Sequence, residues 1–162
     1  MPHRKQVRPS LRTHAKDALA LDLGWHARQS ARLLTAELDK GLAASGLTST
    51  QFGLMCLIAS SPDDTVGGLA ERAGLNQSTM SRNIDALSRA GLVEVATVIE
   101  DRRRRAMWLT EAGLRRLQEA MPLWRTAHTA LAGQLHPELG SHLLATNAML
   151  SPQPQTPTQE DM

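Results

Sequence analysis

Asp101-Arg102-Arg103-Arg104-Arg105 sets four consecutive guanidiniums behind one carboxylate, between two short runs of strand-forming residues, 93–99 and 106–109. Apolar and β-branched residues in those runs predict two strands, and the charged insertion between them predicts a hairpin. Alone, an arginine run is most often a solvated face. What lies upstream changes that reading. Thr65 is placed to cap a short helix over residues 66–73, closed by Gly74. Asn76-Gln77-Ser78 opens a second helix, which runs to Arg89 and meets Gly91 as its C′ glycine. In it Met80, Ile84 and Leu87 form the buried stripe, and Ser78, Ser81, Arg82 and Asp85 lie on the opposite face.

Two short helices followed by a basic hairpin predict a winged helix-turn-helix. In that arrangement the second helix suits the major groove of DNA, and the hairpin reaches the backbone or the adjacent minor groove. The helix's small polar residues allow close approach, and Gln77, Ser78, Thr79, Ser81 and Arg82 are the candidates to meet base edges or phosphates.

Outward from this centre the pattern is helical. A stripe of Leu23, Ala27, Ala31, Leu34, Leu38 and Leu42 predicts a long amphipathic helix from about Thr13 to Gly46. Thr48-Ser49-Thr50-Gln51 reads as a capping box opening another helix, and Ser61-Pro62-Asp63-Asp64 as a turn. Thr110 begins a long helix with Leu114, Leu117, Met121, Trp124, His128 and Leu131 on one side, and Pro122 is expected to kink it. A last helical run covers residues 138–150. The expected organisation is a flexible basic arm at 1–12, a helical dimerisation region at 13–47 and 111–150, a winged helix-turn-helix lobe at 48–110 and a disordered tail at 151–162. The fold class is mostly α with a small β-hairpin wing. Leucine stripes at both ends exceed what one small core covers, which predicts a homodimer.

Composition narrows the function classes. The 162 residues carry a net charge of only +2, unevenly spread, with Arg4, Lys5, Arg8, Arg12 and Lys16 unopposed by any acid in residues 1–16. Arginine outnumbers lysine, which suits phosphate and guanine edges but is also what a GC-rich coding bias produces. A single cysteine excludes an intramolecular disulfide framework and a Cys-rich zinc site. No apolar run approaches the ~20 residues of a membrane span, and no apolar segment follows the basic start, so a cytoplasmic address is expected with no membrane partner. The six histidines show no metal-ligand spacing, and no phosphate loop, nucleophile elbow or paired-carboxylate arrangement appears. No catalytic residue, metal or cofactor is expected.

The run Leu69-Ala70-Glu71-Arg72-Ala73-Gly74-Leu75-Asn76-Gln77-Ser78-Thr79-Met80-Ser81-Arg82-Asn83-Ile84-Asp85-Ala86-Leu87, then Gly91-Leu92-Val93, resembles the MarR (multiple antibiotic resistance regulator) family. So does Asp101-Arg102-Arg103 with Thr110 following in Leu-Thr-Glu-Ala-Gly. The likeness spans about residues 20–145, with its blocks in order and at family-like spacing. It implies a homodimeric winged-helix transcriptional regulator, usually a repressor of a pseudo-palindromic double-stranded DNA operator, often released by a small ligand or oxidant. By place in the family pattern, Asp101 holds Arg103 while Arg102, at the hairpin tip, enters the minor groove, with Arg104 and Arg105 nearer the strand. Val95, Ala96, Val98 and Ile99 depart from that pattern, being apolar where relatives are polar or basic.

In this family, ligands commonly bind between the dimerisation helices and the winged lobe. Here Trp25, Arg28, Arg32, Met55, Trp108, Trp124 and His128 are the candidates to line such a cleft, which would suit a small aromatic or acidic effector. Cys56, mid-helix among Leu54, Met55, Leu57 and Ile58, reads as a small buried hydrophobe and not a thiol switch. A winged-helix protein-interaction module without DNA binding is the rival reading. It has no need of Arg82 or the arginine run.

Overall fold

A computed structural model describes residues 9–61, 65–98 and 101–150; the side chains of Pro9, Thr97, Val98 and residues 101–106 lie outside the described set. The chain forms α1 (Pro9–Leu21), α2 (Leu23–Leu42), a 3₁₀ turn (Ala43–Ser45), α3 (Ser49–Ser60), α4 (Val66–Arg72) and α5 (Gln77–Arg89). An antiparallel hairpin, β1 (Val93–Val98) and β2 (Asp101–Leu109), follows, then α6 (Glu111–Ala132) and α7 (Leu139–Leu150). This is the mostly helical, one-hairpin architecture of a winged helix.

Helix ends fall where local chemistry places them. Thr48 Oγ1 accepts from Gln51 N at 3.2 Å while Gln51 Oε1 accepts from Thr48 N at 3.0 Å, completing the capping box of α3. Thr65, Asn76 and Thr110 cap α4, α5 and α6 through their side-chain oxygens. Gly46, Gly74 and Gly91 end their helices at φ +71°, +63° and +70°, a left-handed conformation that costs other residues ~1 kcal/mol.

The N-terminal region departs from expectation in two ways. The helix begins at Pro9, not near Thr13, so residues 9–12 of the expected flexible arm are helical. Proline is compatible with a first helical turn, where its missing N–H has no partner to lose. The expected single long helix is also two. Asp22 is extended (φ −71°, ψ 100°), and its Oδ1 accepts from Trp25 N at 2.7 Å. That local bond offers the backbone an alternative to a continuous helix and restarts it as α2. Residues 1–8, the turn at Pro62, Asp63 and Asp64, and the tail from Ser151 lie outside the described residues.

One aliphatic core unites the lobe. Leu47, Phe52, Met55 and Ile58 pack with Leu69, Met80, Ile84, Leu87, Val93, Met107, Leu109 and Leu117, and Leu42 joins them from α2. Cys56 is only half-buried and packs against this cluster. α2 and α6 pack closely, because Gly41 abuts Ala127 and a Cβ there would overlap that of Ala127. α6 runs on through Pro122 as one helix. α1 and α7 stand off the core: every described α1 side chain is exposed, and Leu144 and Leu150 of α7 are too. No single helix among the described residues is long and apolar enough to cross a membrane.

Candidate nucleic-acid interface

The site is built on α5. Met80, Ile84 and Leu87 are 0%, 2% and 0% exposed and fix which way the helix faces. Gln77, Ser78, Arg82 and Asp85 are consequently exposed, while Thr79 and Ser81 are half-buried. Asn76 Oδ1 accepts from Thr79 N and from Ser78 Oγ, both at 2.8 Å, so the Ser78 hydroxyl also serves the cap. No acidic residue occupies the first turn of α5, so the helix's own sequence sets no carboxylate against the positive end of its dipole.

The hairpin follows directly. Val93 pairs with Leu109, Glu94 with Trp108, Val95 with Met107, Ala96 with Ala106 and Thr97 with Arg105; the register then jumps, so that Val98 pairs with Asp101. Arg102, Arg103 and Arg104 fall between the last two pairs. The arginines therefore belong to β2 and do not form the link between two strands, as the sequence suggested: pairing with β1 continues past them once a bulge absorbs the extra residues. Arg102 is accordingly in the strand and not at the tip. The expected Asp101–Arg103 pair concerns side chains outside the described set. Val93, Met107 and Leu109 seat the hairpin on the core, and Val95 packs there half-buried, so part of the apolar wing does touch its own protein. On the outer face Trp108 Nε1 donates to Glu94 Oε2 at 3.0 Å.

A compact junction locks wing to helix. Thr110 N donates to Leu92 O at 3.1 Å, Thr110 Oγ1 donates to Gly91 O at 2.7 Å and accepts from Gly113 N at 3.0 Å. Gly113 lies so close to the Leu92 carbonyl that a Cβ would overlap its oxygen. The Leu-Thr-Glu-Ala-Gly motif thus seats the start of α6 against the turn that launches β1.

Two long-range ties had no signal in the sequence. Asp39 Oδ1 accepts from Ser49 N at 2.6 Å, joining α2 to the start of α3. Arg116 Nη1 donates to Ser45 O at 2.9 Å, joining α6 to the turn between them. Their partners lie 10 and 71 positions apart, where no periodicity connects them.

The candidate effector residues are dispersed. Met55 is fully buried in the core. Trp124 stacks on Phe52 with centroids 5.6 Å apart, and His128 lies 4.9 Å from Trp124. Trp25, 50% exposed, and Arg28, also exposed, sit at the start of α2. Trp25 precedes Gly41 by sixteen positions, a rise of about 24 Å along the helix. One protomer therefore does not bring Trp25 and Arg28 to the Trp124 group. Trp108 belongs to the wing. Burial pushes the Cys56 thiol above its ordinary pKa, away from the thiolate a redox switch requires.

Helix, wing and junction together define a winged helix-turn-helix regulator. The MarR family model matches residues 45–104. The chain is 30% identical over 92 residues to the transcriptional regulator HosA of Escherichia coli, covering 57% of this chain and 68% of that one. It is 26% identical over 125 residues to the HTH-type transcriptional repressor YetL of Bacillus subtilis, covering 75% of each. Among solved structures it resembles the M. tuberculosis transcriptional regulator MosR in complex with DNA, at 31% identity and TM-score 0.72 over 79% of this chain and 95% of that one. The chain belongs to the MarR family of transcriptional regulators.

Proposed function

We propose that the protein is a cytoplasmic, dimeric repressor of a pseudo-palindromic operator, released by a small aromatic or acidic effector. Two copies of α5 enter successive major grooves, presenting Gln77, Ser78, Thr79, Ser81 and Arg82. Arg102, Arg103 and Arg104 of each wing grip the flanking minor grooves, and Asp101 orients Arg103. The observation that carries this reading is the division of α5 into a buried aliphatic side and an exposed polar side, immediately ahead of the arginine-bearing strand. The test is titration with DNA from upstream of the gene that contains an inverted repeat. Tight binding there and weak binding to a scrambled duplex is expected. Charge reversal at Arg82 and Arg102 with regulation intact would favour the protein-interaction module.

The dimer is formed through the regions 13–47 and 111–150. Leu21 and Leu23 are 79% and 84% exposed, and an open apolar cleft of about 350 Å³ lies between α2, the end of α6 and α7, lined by Leu34, Leu38, Leu131 and Leu143. A second copy of the chain would take these apolar surfaces out of water. Sedimentation at micromolar concentration should give about twice 17.6 kDa. A monomer that binds operator tightly overturns the arrangement. The effector reading rests on exposed Trp25 beside Arg28 and Arg32, where a dimer interface supplies the missing walls.

Because α1 starts at Pro9, the basic arm is best removed as residues 1–8, which takes away Arg4, Lys5 and Arg8. Affinity should then fall less steeply with salt, by roughly 0.9 in slope for each phosphate the arm no longer neutralises, with sequence preference unchanged. An unaltered slope assigns the arm no contact with DNA.

A further inference from the structure

Two charged side chains meet at the turn where α2 gives way to α3. The last carbonyls of a helix lack intrahelical donors, and its first N–H groups lack acceptors. Here both are served from other helices. Half-buried Arg116 of α6 donates from Nη1 to Ser45 O at 2.9 Å, at the end of the 3₁₀ turn that extends α2. Half-buried Asp39 of α2 accepts from Ser49 N at 2.6 Å, at the first residue of α3. Each charge has the sign favoured by the dipole of the helix end it meets. Among the described residues Ser45 is the one buried polar side chain. Its hydroxyl donates to Leu42 O at 2.6 Å and accepts from Leu47 N at 3.3 Å, so it is spent within the turn while its carbonyl takes the guanidinium.

These ties act where the winged lobe joins α2 and α6. It joins them at two places, the turn 43–48 and the start of α6, which Thr110 and Gly113 seat against Leu92. Arg116 fastens the second place to the first, and Asp39 fastens α3 back to α2. Farther along α6 lies Pro122, which has no N–H to give Gln118 O and marks the point where a helix bends most readily. α2 spans that point. It meets α6 at Gly41 and Ala127 on one side and, through the turn at Ser45, meets Arg116 on the other.

We infer that Arg116 and Asp39 are positioning residues for operator recognition, fixing the angle between the lobe and the helices α2 and α6, and with it the half-site spacing that two copies of α5 accept. The inference rests on the dimeric DNA-binding reading given above. Successive major grooves lie about 34 Å apart and each base pair adds about 3.4 Å, so a lobe that swings by a few ångströms carries its α5 by one base pair.

The full-length parent and variants each select duplexes from a random-sequence pool. Affinities are then measured for the enriched repeat and for versions with one base pair added or removed between its half-sites. The parent should enrich one half-site sequence at one spacing. Arg116→Met keeps the stem and removes the donor. It should keep that half-site sequence but accept neighbouring spacings, its preference for the original falling by about threefold to tenfold, the scale of a lost charged hydrogen bond. Asp39→Ala cuts the other tie and should do the same; either variant suffices where the other does not fold. Arg116→Lys keeps a cationic donor and should lie closer to the parent's ratio. A ratio is read because a loss of stability alone weakens all duplexes together. Unchanged spacing ratios in Arg116→Met and Asp39→Ala, or an altered half-site sequence, overturn the inference and leave the DNA-binding reading standing. A parent that enriches no inverted repeat overturns that reading, and the inference with it.

Discussion

Gly113→Ala should destabilise the protein by about 2–3 kcal/mol, although alanine is the better helix former by ~1 kcal/mol. The sign is decided by position. A methyl at Gly113 overlaps the Leu92 carbonyl oxygen, which is backbone and cannot rotate aside. α6 must lift, and the bonds from Thr110 to Gly91 and Leu92 lengthen with it, each worth ~1 kcal/mol. Gly53→Ala is the matched control: the same chemical change in a helix with open space should stabilise by about 0.5–1 kcal/mol. Urea unfolding of both variants should move the midpoints in opposite directions at unchanged slope. A Gly113→Ala variant as stable as the parent would mean that α6 does not approach the wing as closely as described.

What could be read from sequence was what is local. Thr48, Thr65, Asn76 and Thr110 announce helix starts because a short oxygen-bearing side chain satisfies an orphan N–H within three residues. The buried stripe of α5 was legible because Met80, Ile84 and Leu87 recur at helical spacing. The break at Asp22 is local too, but the sequence reading runs one helix from about Thr13 into the stripe that begins at Leu23, passing over a residue that caps as well as the others. The arginines were placed between strands because charge resembles a turn. Strand pairing overrode that, since the register jump after Thr97 lets residues 102–104 be absorbed into β2.

Non-local contacts were not legible in the same way. The seven-residue step from Arg103 to Thr110 was part of a recognisable pattern, but its physical reason, Gly113 meeting Leu92, appears only when α6 packs on the hairpin. Likewise Trp25, Arg28, Trp124 and His128 share helix faces suited to a cleft, yet faces do not give heights along a helix. Antiparallel packing of α2 on α6 sets Trp25 far from Trp124: Gly41 meets Ala127, and the cleft shared by Leu34, Leu38, Leu131 and Leu135 lies beyond. Any joint role for Trp25 and Trp124 must therefore be built across two protomers.

Arg82→Ala should reduce operator affinity by ~1–3 kcal/mol and relax preference at one operator position. Arg82 projects from α5 opposite the buried Met80, Ile84 and Leu87 and is exposed, so its removal leaves the core intact. Weaker binding can then be assigned to the missing guanidinium and not to unfolding. Arg102→Ala should act differently. The minor groove distinguishes little beyond A·T from G·C, so binding should weaken across sequences. The salt slope should flatten by up to about one charge. Asp101→Ala should weaken binding as a wing variant does but keep the parent's salt slope, because its proposed task is to orient Arg103 and it meets no phosphate. Titration of all three against operator and scrambled duplexes at two salt concentrations separates the roles. Specificity reduced only at Arg82 and salt dependence reduced only at Arg102 match the assignment. If Arg82→Ala and Arg102→Ala both bind operator as the parent does, the DNA-contacting surface lies elsewhere on the molecule.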